Sequence, residues 1–378
     1  MKPLLGEGGG VKGVFSLARQ LKKRHSIKVV YYKERGITTE EARSLAEEAG
    51  VLLIKEQGFK PPRGMPLTYR LDRVLKHINS SDVWYCFNEP PNSLIFSALK
   101  DLGGLHAIKR PGVLGFHTTF VRFRATSKVY AYLIKSRIAT KFECIHVLNE
   151  RMRQFFLTSL PSQKVFLIPN GIDVQQFPEA GCEGDKFTVI WVGRFYREKG
   201  VDLLKQIVEK FEERRSGRDI EFLLIGGGPL KHVAERLSEK YGFVQYLGYV
   251  MHEKLKKLYS RACLYLLTSR VEGMPLSLLE ASAAGLPCVG SRIPGVIEVV
   301  ERVGTGRLID LKQLNCAEAF VDAIISYYEA WAESSAEYRS LIRRTRMNTA
   351  HHFGWETLAS ALENMFLTAI SNYHQQRG

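Results

Sequence analysis

The sequence predicts an α/β protein built from two doubly wound, Rossmann-like domains, and three observations lead there. Apolar runs of five or six residues recur with helix-length segments between them, the pattern of parallel strands covered on both faces. The series occurs twice, on either side of a polar stretch at residues 178–186. The chain has 378 residues, which suits two domains at roughly 100 to 200 residues each.

The elements follow in order. In the first half the strand-like runs are 27–32, 51–54, 83–87, 144–148 and 165–168. After the polar break they resume at 187–192, 220–225, 244–247, 263–267 and 287–289. From about residue 316 to 371 the pattern is helical without strands. One departure stands at the start: a strand should precede the Gly-rich turn of Gly6–Gly10, yet only MKPLL does, with a proline inside it. Either the first strand is missing or the start of the chain is misplaced.

Composition excludes several classes. Hydrophobic residues make up 45% and charged residues 25%, close to ordinary globular proteins and far from disordered or collagenous chains. No apolar run approaches the ~18 residues of a membrane-spanning helix. The N-terminus lacks the apolar core of a secretory signal, which places the chain in the cytoplasm or peripherally on a cytoplasmic membrane face. Cys86, Cys144, Cys182, Cys263, Cys288 and Cys316 form no C-x-x-C pair, and four lie in apolar runs as buried reduced thiols do. Neither a zinc site nor a disulfide is expected.

The net charge of +15 is unevenly placed. Residues 1–178 hold 28 basic and 14 acidic residues, whereas 179–378 hold 26 and 25. Within 109–141, Lys109, Arg110, Arg122, Arg124, Lys128, Lys135, Arg137 and Lys141 interleave with Phe116, Phe120, Phe123, Tyr130 and Tyr132. Such a surface suits anionic lipid headgroups, a pyrophosphate-bearing acceptor or nucleic acid.

Four segments carry chemistry. Gly8–Gly10 precedes an amphipathic stretch, so its amides either face an anion at a helix N-terminus or form a plain flexible loop. The run Gly193-Arg194-Phe195-Tyr196-Arg197-Glu198-Lys199-Gly200 follows a strand and precedes a helix near Val201. Arg194 and Lys199 therefore sit at the carboxyl end of a parallel strand, where two cations suit a diphosphate. Gly226-Gly227-Gly228-Pro229 again ends a strand and opens a helix, as a tight turn or as a close approach to another surface. In the fourth segment, Glu272 lies in a strand-to-helix loop and Glu280 about a turn and a half into the helix that Pro275 opens. The amides of Gly273, Met274, Pro275's successor Leu276 and the carboxylates can meet one ligand, and carboxylates accept from sugar and ribose hydroxyls. Glu280 stands on an otherwise apolar helix and needs a partner.

Together with Pro169-Asn170-Gly171-Ile172-Asp173, these ordered motifs resemble the retaining glycosyltransferases of the large group 1 (mannosyl/glucosyl) family. That family has the GT-B architecture, two Rossmann-like domains facing across a cleft. The resemblance implies an acceptor-side domain at 1–178, a nucleotide-sugar-binding domain at 179–352 and a C-terminal helix at 353–378, after Phe353-Gly354-Trp355, crossing back to the first domain. It implies that Arg194 and Lys199 bind the donor diphosphate, Glu280 the ribose hydroxyls, and Glu272 the donor sugar. Gly9 and Gly10 would touch phosphate, Tyr249 and Val250 the base, and Gly273, Met274, Pro275 and Leu276 line the donor site. His117 matches the family's active-site histidine, against an ordinary loop histidine as the alternative. Catalysis is thus assigned to Glu272, His117, Arg194 and Lys199.

No D-x-D sequence occurs, so no metal and no other cofactor is implied. The expected function is metal-independent, retaining transfer of a hexosyl group from a nucleotide sugar to a lipid-linked or other glycan acceptor. The basic half is expected to meet an anionic membrane surface, and no nucleic acid partner is expected. Two competing readings are a non-catalytic basic module for RNA or anionic membrane and a GT-B sugar-nucleotide epimerase; the first leaves the carboxylate spacing unexplained, and the second lacks this motif set.

Overall fold

The computed structural model describes residues 18–32, 47, 52–56, 71–87, 100, 108–116, 132–182 and 185–376. The chain divides into two compact units, one of Met1–Gly171 with Leu358–Gly378 and one of Ile172–Thr357. No helix among the described residues is long and apolar enough to cross a membrane.

In the first unit, β1 (Lys28–Tyr32) pairs in parallel with β2 (Leu52–Glu56). Among the described residues, a four-stranded parallel sheet runs β3 (Trp84–Phe87), β4 (Gly112–Phe116), β5 (Cys144–Val147) and β6 (Val165–Leu167). Helices α1 (Leu71–Asn79) and α2 (Glu150–Leu157) help cover it, with Leu75, Met152 and Phe156 in the core. The Gly6–Gly10 turn and the strand expected before it lie outside the described residues.

The apolar-run reading passes over β4, because two glycines dilute its sequence. The structure gives them a purpose: aromatic side chains of β3 lie across them. A Cβ on Gly112 would stand 2.6 Å from the Trp84 ring, and one on Gly115 only 1.7 Å from the Tyr85 hydroxyl oxygen. At the start of β4, the nearly buried Glu143 accepts from Lys100 Nζ at 2.7 Å and from the Gly112 amide at 2.6 Å.

His146 on β5 is buried between Tyr85, whose hydroxyl is 2.7 Å from Nδ1, and the Ile168 carbonyl, 2.7 Å from Nε2. A carbonyl only accepts, so Nε2 carries the hydrogen and Nδ1 accepts from Tyr85. Burial pushes the pKa of His146 down from 6.5 to about 4. The unfolded chain then binds a proton that the folded chain refuses, so this stabilisation is complete above the unfolded pKa and is lost as pH falls through the folded one. Urea melts from pH 7 to pH 4 are expected to show a loss of about 3 kcal/mol that His146→Phe does not show; parallel profiles for the two proteins would refute this.

The second unit holds one six-stranded parallel sheet in the order β12-β11-β10-β7-β8-β9. Its strands are β7 (Phe187–Val192), β8 (Ile220–Ile225), β9 (Val244–Gly248), β10 (Leu264–Leu267), β11 (Cys288–Ser291) and β12 (Arg307–Ile309). Between them run α3 (Val201–Arg214), α4 (Lys231–Lys240), α5 (His252–Arg261), α6 (Leu276–Ala284) and α7 (Pro294–Val303). The chain winds outward from β7 to β9, then reverses through β10 to β12. The switch point falls between β7 and β10, and ligands in open α/β sheets bind beyond the carboxyl ends of strands there.

Helices α8 (Cys316–Glu333), α9 (Ser335–Phe353) and α10 (Trp355–Gln375) complete the chain. Arg346 of α9 points its guanidinium at three backbone carbonyls, those of Val174 (3.0 Å), Phe177 (2.7 Å) and Ala283, and so ties the opening segment of the second unit to the end of α6. The amide of Ile172 adds a bond to the Phe353 carbonyl at 2.8 Å. Past Leu358, α10 packs in the first unit: Glu363 meets Arg24 at 2.8 Å and His25 at 3.1 Å, and Asn372 donates to the Glu143 carbonyl at 3.3 Å.

One expectation is corrected. Cys182 and Cys263 form a disulfide, with Cα atoms 4.8 Å apart across 81 residues of sequence. Cys263 stands just before β10, where its amide bonds Thr188, and the Gly181 amide bonds Ser260 beside it. The two thiols are brought together by sheet formation, which no local spacing announces. Cys86, Cys144 and Cys288 are buried, and burial pushes the thiols of Cys86 and Cys144 up to about 12.

Candidate active site

The site is built from two loops that leave the sheet at its switch point. The first follows β7. Phe195 is fully buried there, its ring 4.8 Å from Trp191 and 5.5 Å from Tyr246, and its backbone bonds Gly227 and Leu230. A buried aromatic at this position nails the loop down while its neighbours stay accessible. Arg194 projects beside Tyr196, 5.3 Å above the ring, with Glu198 3.9 Å away, and remains about half exposed. The glycines after β8 serve this same loop. Gly226 has φ +134°, and a Cβ on it would lie 1.9 Å from the Gly193 carbonyl oxygen. The close approach left open by the sequence is therefore to the β7 loop itself.

The second loop follows β10. The Thr268 hydroxyl donates to the Lys199 carbonyl at 2.8 Å and accepts from Trp191 Nε1 at 3.0 Å, locking the two loops together. Arg270 reinforces the lock, with its amide on the Glu198 carbonyl and its guanidinium forked onto Asp202 at 2.5 and 2.6 Å. That guanidinium holds the Asp202 carboxyl below its usual pKa. Lys199 Nζ donates to Glu272 Oε1, which also accepts from the Ser269 hydroxyl at 2.7 Å. Lys199 and Glu272, read separately in the sequence as a cation for diphosphate and a carboxylate for sugar, thus form one ion pair, their side chains only 20% and 12% exposed. An ammonium has three hydrogens, so this bond leaves two for another anion. Gly295 in α7 admits the loop: a Cβ there would be 2.2 Å from the Gly273 carbonyl oxygen.

Past Met274 and Pro275, α6 begins at Leu276 with no side-chain cap. The unsatisfied amides and helix dipole of such a start favour negative charge. Glu280 lies in this helix and is nearly buried. Its Oε1 is 3.3 Å from His252 Nε2, and its Oε2 is 3.3 Å from the Tyr259 hydroxyl. Burial and the neighbouring Glu280 charge raise the Tyr259 pKa well above its normal value, so this hydroxyl keeps its hydrogen and donates it. Tyr249 and Val250 follow β9 and lead directly into α5, whose first residue is His252; Tyr249 is half exposed and Val250 is buried.

Arg194, Lys199, Glu272, Gly273, Met274, Pro275, Leu276 and Glu280 therefore all belong to the second unit and to loops or a helix at the carboxyl ends of β7 and β10. Gly9, Gly10 and His117 lie outside the described residues. Sequence reasoning missed Ser269, Gly295, His252 and Tyr259. Only the last two left a signal, a histidine and a tyrosine seven residues apart on one face of a lysine-rich helix.

Residues 174–346 match the family described as glycosyl transferases group 1, and residues 7–176 match glycosyltransferase family 4. The chain is 26% identical over 239 residues to an uncharacterised glycosyltransferase of Methanocaldococcus jannaschii, an alignment spanning 59% of this chain and 58% of that protein's length. It is 25% identical over 344 residues to a GDP-mannose-dependent alpha-(1-6)-phosphatidylinositol monomannoside mannosyltransferase of Mycobacterium tuberculosis, spanning 84% of this chain and 83% of that one. Among solved structures, HepE of Anabaena in complex with UDP and glucose superimposes with a TM-score of 0.71 at 15% identity, covering 95% of this chain and 96% of that one. Two consecutive family matches, parallel α/β units and the shared fold place this chain in the group 1 glycosyltransferase family, with the GT-B fold.

Proposed function

We propose that this protein transfers a hexosyl group from a nucleotide-sugar donor to a lipid-linked or other glycan acceptor, with retention of anomeric configuration and without a metal, at a cytoplasmic membrane face. The observation that carries the reading is the convergence of Arg194, the Lys199–Glu272 pair and the uncapped start of α6 at the switch point of one sheet. When the bond from the anomeric carbon to phosphate breaks, the sugar gains oxocarbenium character and the diphosphate takes the electron pair. Arg194, the remaining hydrogens of Lys199 and the helix dipole stabilise that leaving charge. Glu272, held by Lys199 and Ser269, is set to accept from donor-sugar hydroxyls, and Glu280 from those of ribose. The acceptor hydroxyl attacks on the face that the diphosphate leaves, and a departing phosphate oxygen takes its proton.

The membrane reading is supported by the segment at 132–141. Tyr132 and Leu133 are exposed beside Lys135 and Arg137, a mixture of apolar and basic groups suited to anionic lipid. The Mycobacterium tuberculosis relative is named for a phosphatidylinositol-based acceptor. The test is titration of nucleoside diphosphates and nucleotide sugars in EDTA, followed by NMR of the product formed from the sugar that binds. Micromolar binding of one nucleotide, weakened at least tenfold by Arg194→Ala and by Glu280→Ala, together with a retained anomer, is expected. Binding that requires a divalent cation, or an inverted anomer, would overturn the corresponding part of the proposal.

A further inference from the structure

Glu280 is held at both oxygens. His252 and Tyr259 reach it from the same helix, α5, two turns apart, one on Oε1 and the other on Oε2. A carboxylate only accepts, so each of these neighbours must donate. With about four lone-pair sites on the two oxygens, two are filled and about two remain. Two acceptor sites on one fixed carboxylate match a pair of adjacent hydroxyls.

The His252 ring is itself fixed. Phe177 packs edge-on against it with ring centres 6.0 Å apart, and also approaches Tyr259 at 6.5 Å. The Phe177 carbonyl is in turn bonded by Arg346 at 2.7 Å. The His252 side chain is 30% exposed against 11% for Glu280, so it stands between the buried carboxylate and the surface rather than in the core. A histidine that merely opened a helix would need neither the carboxylate nor the aromatic wall.

We infer that His252 is a positioning residue for donor recognition: it aims the Glu280 carboxylate at the vicinal 2′,3′-hydroxyls of a ribonucleoside diphosphate. The inference rests on the reading of Glu280 as the ribose carboxylate. It adds that recognition of ribose depends on a group that never touches the nucleotide. Loss of the His252 hydrogen bond leaves Glu280 held by Tyr259 at Oε2 alone, with its outer torsions less restricted. The cost then falls on hydroxyl recognition and spares the base and the phosphates.

The test is a set of dissociation constants for UDP and GDP and for their 2′-deoxy counterparts, in the full-length protein and in His252→Phe, His252→Gln and Glu280→Ala. Phe keeps the ring contact with Phe177 and deletes the donor, whereas Gln returns an N–H near the position of Nε2. His252→Phe is expected to reduce the ribo-over-deoxy preference about three- to tenfold, the worth of one hydrogen bond, with deoxynucleotide affinity unchanged. His252→Gln is expected to restore the preference. Equal weakening of ribo and deoxy ligands by His252→Phe, or an undiminished preference, would overturn the role of His252. A preference that survives Glu280→Ala would instead overturn the reading of Glu280 and the inference with it. Should His252→Phe not fold, His252→Ala against His252→Gln reads the same difference.

Discussion

Lys199→Ala is expected to lower kcat/KM for sugar transfer by about 10² to 10³, the scale set by removal of one preorganised donor from a developing anion. Three features make the effect large. The ammonium is one-fifth exposed, so its field is less screened than that of a surface lysine. Its backbone is fixed by Thr268 from the opposite loop, so it needs little reorganisation as charge develops. Its removal also releases Glu272, leaving a carboxylate that is 12% exposed and still bonded by the Ser269 hydroxyl. The two residues should therefore behave as a unit: the loss in Lys199→Ala/Glu272→Ala should fall well short of the product of the single losses. Strictly multiplicative losses would show that the ion pair has no part in catalysis. Circular dichroism and the affinity for a nucleoside monophosphate should stay near wild type in the single variants.

Reduction of the Cys182–Cys263 disulfide is expected to be the largest single change in stability available without substitution. The bond closes a loop across 81 residues, and the chain-entropy relation assigns such a loop about 4.5 kcal/mol. Cys263 begins the path into β10, one of the two strands at the switch point, so the cross-link and the site share a strand. Thermal melts of oxidised protein with and without dithiothreitol should differ by several degrees, and Cys182→Ser should melt at one temperature under both conditions. A peptide map of unreduced protein that lacks the 182–263 linkage, or a wild-type melt indifferent to reductant, would contradict the bond.

Both results turn on contacts between distant parts of the chain, and these are what the sequence concealed. The strands of the second unit were plain because buried parallel strands are continuous apolar runs, as in Phe187–Val192 and Ile220–Ile225. The loops after β7 and β10 were legible because their glycines and charges interrupt that apolar pattern at strand ends. β4 was hidden because its glycines lie beneath Trp84 and Tyr85, a requirement set by the neighbouring strand rather than by β4 itself. His252 and Tyr259 looked like ordinary residues of a solvated helix, since their partner Glu280 lies 28 and 21 residues further on. The separation of 73 positions between Lys199 and Glu272 concealed their pairing in the same way.

The guanidinium of Arg346 sets the limit for dissecting this molecule. A fragment cut to the visible sheet, starting at Phe187, would discard the Val174 and Phe177 carbonyls that Arg346 uses and strand a partly buried cation at the end of the helix bearing Glu280. It would also strip Phe177 from His252 and Tyr259. The second unit therefore begins at Ile172, fifteen residues before its first strand, and the short stretch that looks like a tether is part of that unit's own foundation.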